Sequence, residues 1–222
     1  MNHAPILFED AEALVIDKPG GLPIDTPRKG GPSLSDQFDI LRLGFQLLPV
    51  PVHRLDTDTS GCLLLARNPK ALMRFARAFE DRSVAKRYLG ILAGMPTNTE
   101  GVIELALTKI SSAAAGWKMI PARKGKPSIT HWRVLAEAEG RALVEFRPET
   151  GRTHQIRVHA ASGLGVPLLG DPVYGEGVGS AAKPRRTLLH AAALSLPRPG
   201  KPPIAAVSPL PQDFRDLGFH EA

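Results

Sequence analysis

The chain is 222 residues long and 43% apolar, with one cysteine and a net charge of +6. That is enough to bury a sizeable core in one domain spanning 1–222. It excludes an intrachain disulfide and favours an anionic partner, of which nucleic acid is the commonest. No apolar run approaches a membrane span, and Met1 to Asp10 lack the basic-then-apolar order of a signal peptide, so a cytoplasmic chain with no membrane partner is expected.

In chain order, Pro5 to Phe8 and Ala13 to Asp17 read as strands around the acidic turn Glu9-Asp10-Ala11-Glu12, and Asp17-Lys18-Pro19-Gly20-Gly21-Leu22 breaks the pattern. Ser33 caps a helix over Leu34 to Leu43, with Asp36 at the third position. Leu47 to Pro51 leads into His53-Arg54-Leu55-Asp56-Thr57-Asp58-Thr59-Ser60-Gly61, a polar turn that feeds the apolar run Cys62 to Ala66, a buried strand. Asn68-Pro69 is a cap followed by proline at the first helical position. Leu72, Phe75, Ala76 and Phe79 then mark one buried face, leaving Arg74, Arg77 and Arg82 off it as a solvated face or, alternatively, as contacts to nucleic-acid phosphate.

Ala85 to Leu92 and Val102 to Leu107 read as strands. Ser111 to Lys126 has little periodicity and carries Lys118, Arg123, Lys124 and Lys126, as a basic loop or hairpin tip would. Ile129 to Ala136 and Ala142 to Phe146 are strands joined near Glu139-Gly140. Thr153 caps a short helix to about Ser162, ended by Gly163. Gly165 to Gly175 is a Gly/Pro-rich loop, and Lys183, Arg185 and Arg186 form a second basic loop. Thr187 to Leu196 and Ile204 to Val207 are the last strands, before a turn or short helix near Gln212 to Leu217. Strands dominate, with few helices, so the class is α+β around a mostly antiparallel sheet.

Chemistry concentrates in two stretches. Asp56 is a nucleophile, a base, a metal ligand or a turn cap. With Asp58 and His53 it leaves a metal-dependent nuclease open, although no further carboxylates cluster to complete a site. Asp58 to Ser60 otherwise shape a turn. The second stretch is Glu149 to His159. Arg157 there suits bidentate pairing with a carboxylate, and Asp56 is one candidate partner. His154 and His159 are five apart, on different helix faces, and read as hydrogen-bonded structural histidines rather than a zinc pair. Tyr88, beside Lys86 and Arg87, can stack on a base while the cations take phosphates. Cys62, inside the apolar run, reads as a small buried residue. The chain has no phosphate-binding or dinucleotide fingerprint and no zinc motif, so no cofactor is expected.

Several stretches together resemble the RluA-type pseudouridine synthases, which isomerise uridine in RNA to its C5-glycoside. They are Asp17 to Leu22, His53 to Gly61, Lys86-Arg87-Tyr88, Thr150 to His159, Leu169 to Gly175 and Leu188-Leu189-His190-Ala191. The resemblance implies a pseudouridine synthase fold: a curved, mostly antiparallel mixed sheet with flanking helices and a central cleft. It implies Asp56 as nucleophile, Arg54 reaching into the RNA as the uridine flips out, and Tyr88 against the base as a candidate for proton removal. It further implies Arg157 paired with Asp56, Ile156 beneath the base, no cofactor and no metal. Because the signature begins within the first twenty residues, no preceding S4-type RNA-binding domain is expected. Phosphate contacts are expected from Arg123, Lys124, Lys126, Arg185 and Arg186, on a tRNA or rRNA substrate bound by a monomer. A non-catalytic RNA-binding or RNA-folding module on the same scaffold is the rival reading.

Overall fold

The computed structural model describes residues 3–112, 116–175 and 184–220. The strands are β1 (Ile6–Glu9), β2 (Ala13–Lys18), β3 (Val50–Pro51), β4 (Ser60–Ala66), β5 (Ala85–Leu92), β6 (Glu100–Glu104), β7 (Leu107–Ser112), β8 (Gly116–Pro121), β9 (Ile129–Ala138), β10 (Arg141–Pro148), β11 (Leu189–Arg198) and β12 (Lys201–Val207). The α-helices are α1 (Phe38–Leu41), α2 (Pro69–Glu80), α3 (Gln155–Val158) and α4 (Gln212–Arg215). The class is α+β, and the sheet pairing is mixed but mostly antiparallel. The chain forms two compact units, one of Met1–Lys86 with His190–Pro209 and one of Arg87–Leu189 with Leu210–Ala222. Each unit is assembled from separate stretches of chain.

In the first unit, β4 is the central strand. It pairs antiparallel with β2 and β3, and parallel with β11 through His190↔Ser60 and Ala191↔Gly61. β1 and β12 extend this arrangement by antiparallel pairing to β2 and β11. All seven residues of β4 are buried, as its unbroken apolar run requires. Helix α2 starts where expected: the Asn68 side chain accepts the Ala71 N–H at 2.9 Å, and Pro69 opens the helix. Its buried face is Ala71 and Phe75, which pack with Val15, Leu64, Ala66, Leu194 and Ile204. Arg74 and Arg77 are exposed and pair with Glu12 and Asp81, which fits the solvated face. The helix expected over Leu34 to Leu43 is a 3-10 turn, Leu34–Gln37, running into α1; Ser33 N–H donates to the Asp36 carboxylate at 2.8 Å, one half of the anticipated capping box.

In the second unit, β5, β10, β9 and β6 pair antiparallel in that order. One face carries Phe146, Val144, Trp132 and Ile103, which pack with Ile156 and Ala160 from the α3 region. The segment from Ser111 to Lys126 is mostly a hairpin: β7 pairs with β8 from Leu107↔Pro121 to Ser112↔Gly116. The strand expected over Val102 to Leu107 ends at Glu104, and Leu107 begins β7 instead. Thr153 is not the cap of α3. His154 holds that position with φ 53°, in the left-handed region, and α3 passes at His159 into a π-helical turn ending at Gly163. No side-chain bond caps α3; Gln155 Oε1 instead accepts the N–H of Arg152, in the turn that leads into the helix, at 3.0 Å.

Candidate active site

In the first unit the site is the loop from His53 to Ser60, tied down at several points. Thr59 N–H donates to the Asp56 carbonyl at 3.1 Å, which closes a turn directly after Asp56. The Thr57 carbonyl accepts from Gly21 N–H at 2.9 Å and from Lys18 Nζ at 3.0 Å. Lys18 has no exposed surface, and Nζ also donates to the Pro19 and Leu22 carbonyls at 2.8 Å each. A buried ammonium is costly unless its donors are satisfied, and these carbonyls satisfy it. Lys18 therefore locks Asp17 to Leu22 onto the turn that carries Asp56.

His53 ties the start of the loop to the core. Its Nε2 accepts the Leu64 N–H at 3.1 Å, and its ring stacks on Phe79 at 4.8 Å. Burial, with the Lys86 charge nearby, pushes the imidazole down to about 4, which leaves the ring neutral and able to accept that bond. His53 is thus a structural group here rather than a cation. At the other end, Ser60 Oγ lies 2.9 Å from His190 Nδ1. Arg54 is exposed, Leu55 is buried and Asp56 is half-buried, so the loop presents Arg54 and Asp56 while Leu55 anchors it. Cys62 is buried, and burial, followed by the neighbouring Asp17 charge, pushes its thiol up to about 12, which removes it as a nucleophile.

Lys18 gives a direct test. Lys18→Met keeps the apolar stem and removes the ammonium that the Pro19, Leu22 and Thr57 carbonyls share, leaving Thr57 only the Gly21 N–H. It is expected to lower stability by about 2–4 kcal/mol and to reduce kcat more than it raises KM, because the Asp56 turn loses its tether. Denaturant unfolding and initial rates read the two effects; wild-type kcat in a destabilised Lys18→Met would show that the tether does not serve the chemistry.

In the second unit, Tyr88 and Ile156 pack into the same apolar cluster, Tyr88 opposite Phe146 across β5 and β10. Alternation along β5 sends Arg87 to the other face, where it pairs with the buried Glu145, also held by Arg133 at 2.9 Å and Arg147 at 3.0 Å. Burial alone would raise the Glu145 carboxyl, but Arg87 and its companions hold it below the usual carboxylate range. Arg157 is buried and forms a bidentate pair with Asp171, Nε to Oδ2 at 2.7 Å and Nη2 to Oδ1 at 2.8 Å. Asp171 Oδ1 also accepts the Val173 and Tyr174 N–H groups at 2.9 and 3.1 Å. Burial would raise the Asp171 carboxyl, but Arg157 and these N–H groups hold it below the carboxylate range. The bidentate pairing expected of Arg157 is present, with Asp171 as its partner in this unit. His159 is fully buried with Nε2 2.9 Å from Ser128 Oγ, and burial pushes it down to about 4, the state of a structural histidine.

The basic loops separate. Arg123, Lys124 and Lys126 are exposed on a tight turn, pinned to β7 by paired backbone bonds between Lys126 and Leu107 at 2.8 and 2.9 Å. Arg185 is exposed. Arg186 is committed internally: Nε and Nη2 pair with Asp213 at 2.6 and 3.0 Å, and Nη1 donates to the Thr187 and Leu189 carbonyls. Lys183 lies outside the described residues. Among the described residues, no three His, Cys, Asp or Glu side chains come together as a metal site, and no helix is long and apolar enough to cross a membrane. Sequence reasoning missed the roles of Lys18 and Asp171, although both lie in stretches that carried the family resemblance.

A family model described as RNA pseudouridylate synthase matches residues 12–162. The chain is 53% identical over 214 residues to an RNA pseudouridine synthase of Zymomonas mobilis, covering 96% of this chain and 97% of that protein. It is 37% identical over 223 residues to ribosomal large subunit pseudouridine synthase D of Nitrosomonas europaea, covering 96% of this chain and 63% of that one. Among solved structures, human RNA pseudouridylate synthase domain containing 1 superposes with a TM-score of 0.78 at 32% identity, over 93% of this chain and 83% of that one. Human RNA pseudouridylate synthase domain containing 4 gives 0.77 at 27% identity, over 95% and 90%. Fold and sequence thus define an RNA-modifying isomerase. The chain belongs to the RNA pseudouridylate synthase family, in its RluA-type branch, and the family match runs through both compact units.

Proposed function

We propose that this isomerase converts specific uridines of tRNA or rRNA to pseudouridine with Asp56 as nucleophile, after the target base has flipped out of its stack. The observation that carries the reading is the tethered turn: Lys18 and Gly21 hold the Thr57 carbonyl, and Thr59 closes on Asp56, so the carboxylate stands on a fixed backbone. Fixed placement of a reacting group supplies much of an enzymatic rate. In the reaction the C1′–N1 bond breaks and the C1′–C5 bond forms, while C5 loses a proton and N1 gains one. No electrons or groups leave the RNA, so the chemistry calls for no cofactor.

The other residues take the roles that the family motifs suggest. Arg54, exposed beside Asp56, fills the space left by the flipped uridine, since a planar guanidinium can stack and pair where the base was. Ile156 packs beneath the uracil and Tyr88 lies against it, able to take the C5 proton; their shared apolar cluster supports this pairing of roles. Arg157 is the residue that the family resemblance pairs with the nucleophile, and Asp171 orients it. Arg123, Lys124, Lys126 and Arg185 contact phosphate, and Arg186, through Asp213, orders the loop that presents Arg185. The enzyme works as a monomer in the cytoplasm, where the single Cys62 stays reduced. The name of the Nitrosomonas relative makes large-subunit ribosomal RNA the first substrate to try.

The test is mapping of pseudouridine in transcripts of large-subunit ribosomal RNA and tRNA incubated with the protein, with and without excess chelator. New pseudouridine at defined positions, unchanged by chelator, is the expected result. Binding without any new pseudouridine would favour the non-catalytic module, and chelator-sensitive strand cleavage would favour a nuclease.

A further inference from the structure

We propose that Trp117 is a specificity-determining residue that stacks on an unpaired nucleobase of the substrate RNA, a base other than the uridine being isomerised. The proposal rests on the reading that RNA occupies the face carrying Arg157. The chain has two tryptophans. Trp132 is 7% exposed in the core, whereas Trp117, on β8, is 45% exposed. A large aromatic left in water at a hairpin is the informative case, since burial would otherwise be favoured.

Trp117 is held in place rather than loose. Its ring lies 5.0 Å from the His154 ring, tilted by 32°, and the Lys109 ammonium sits 4.7 Å from its centroid. Two residues along β8, the Met119 N–H donates to the Tyr174 hydroxyl at 3.0 Å, and Met119 packs with Leu107 and Val158. A ring whose rotamer is already fixed loses little entropy on stacking, and base–aromatic stacking tolerates any base because each has a π-face. One cation, Lys109, lies against the ring, and Arg123, Lys124 and Lys126 stand exposed at the far, base end of the same hairpin. An aromatic face for bases bordered by cations for phosphates is how single-stranded RNA is held.

The ring is also connected to the site. His154 Nδ1 lies 3.0 Å from the Tyr174 hydroxyl, and the Tyr174 ring lies 5.1 Å from the Arg157 guanidinium carbon. His154 adopts φ 53°, a conformation that costs a non-glycine residue energy and is retained where the surroundings impose it. The contact chain Trp117, His154, Tyr174, Arg157 therefore places a stacked base in register with the residue that orients the reacting groups. A Trp117 serving only as a cover for His154 would change stability when truncated and leave RNA binding alone.

The experiment follows tryptophan emission as Asp56→Asn is titrated with transcripts of large-subunit ribosomal RNA and of tRNA, so that binding is read without turnover. RNA is expected to quench about half of the emission, and Trp117→Phe is expected to show no quench while still retaining RNA on a filter. On the active background, Trp117→Ala is expected to raise KM about tenfold with a much smaller change in kcat, and Trp117→Phe to recover most of the loss. Quenching that persists in Trp117→Phe, or wild-type KM in Trp117→Ala, would overturn the proposal. Absence of binding to either transcript by wild type and Asp56→Asn alike would overturn both it and the RNA reading beneath it. Normal turnover by Asp56→Asn with the quench intact would overturn the role of Asp56 alone.

Discussion

Asp56→Asn is expected to bind RNA with near wild-type affinity and to release no measurable tritium from RNA labelled at uridine C5. The side chain is almost isosteric, so the loop keeps its shape. The turn survives because the Asp56 backbone carbonyl, not its side chain, accepts the Thr59 N–H, and because Lys18 and Gly21 act on Thr57. Arg157 keeps its bidentate Asp171 when Asp56 is neutralised, so that buried cation retains a carboxylate partner. What is lost is the proposed nucleophile, and removal of a nucleophile lowers kcat by about 10⁴-fold or more, roughly 5.5 kcal/mol in the barrier. Thermal unfolding should change by less than about 1 kcal/mol, which separates chemistry from folding. Tritium release at the wild-type rate would sink the assignment of Asp56.

How much of this was legible in the sequence varies by element, for physical reasons. Strand β4 and helix α2 were legible because each carries an unambiguous signal: an unbroken apolar run in Cys62 to Ala66, and a capping asparagine with proline at the first turn. The hairpin β7–β8 was not, because its strands alternate over only a few residues and its exposed face mixes lysine with isoleucine. The cap of α3 was misplaced because Thr153 has the right chemistry, whereas the structure puts His154 in a left-handed conformation that no local pattern announces. The Asp56 loop was legible as a motif. Lys18 was not legible as its tether, since a lysine is ordinarily solvated and only the fold brings the Thr57 carbonyl, 39 positions away in sequence, to its ammonium. Asp171 escaped for the same reason: its contact with Arg157 depends on a loop that sequence could name but not place.

Gly61→Ala is expected to cost more than about 4 kcal/mol of stability and to lower the melting temperature by about 10 °C or more. Gly61 is the second residue of the buried strand β4, just past the Asp56 turn, with φ 104°, in a region that side chains rarely adopt. Here β4 and β11 run parallel with Ala191 opposite Gly61, and a Cβ at this position would lie 2.3 Å from the Ala191 carbonyl oxygen and 2.9 Å from its nitrogen. Both are backbone atoms of a paired strand, so relief requires β4 and β11 to separate. Separation would also disturb the Ser60–His190 contact one residue away and, through it, the end of the Asp56 loop. Activity should therefore fall even where most of the protein remains folded, and kcat measured well below the melting midpoint reads this. Gly140→Asn is the comparison. Gly140 also has positive φ, 70°, but nothing lies within 4 Å of its Cβ position, and asparagine tolerates that conformation. It is expected to cost less than about 1 kcal/mol. A Gly61→Ala protein that melts with the wild type would mean that β4 and β11 are not packed this closely, and that the Asp56 loop is anchored by Lys18 and His53 without them.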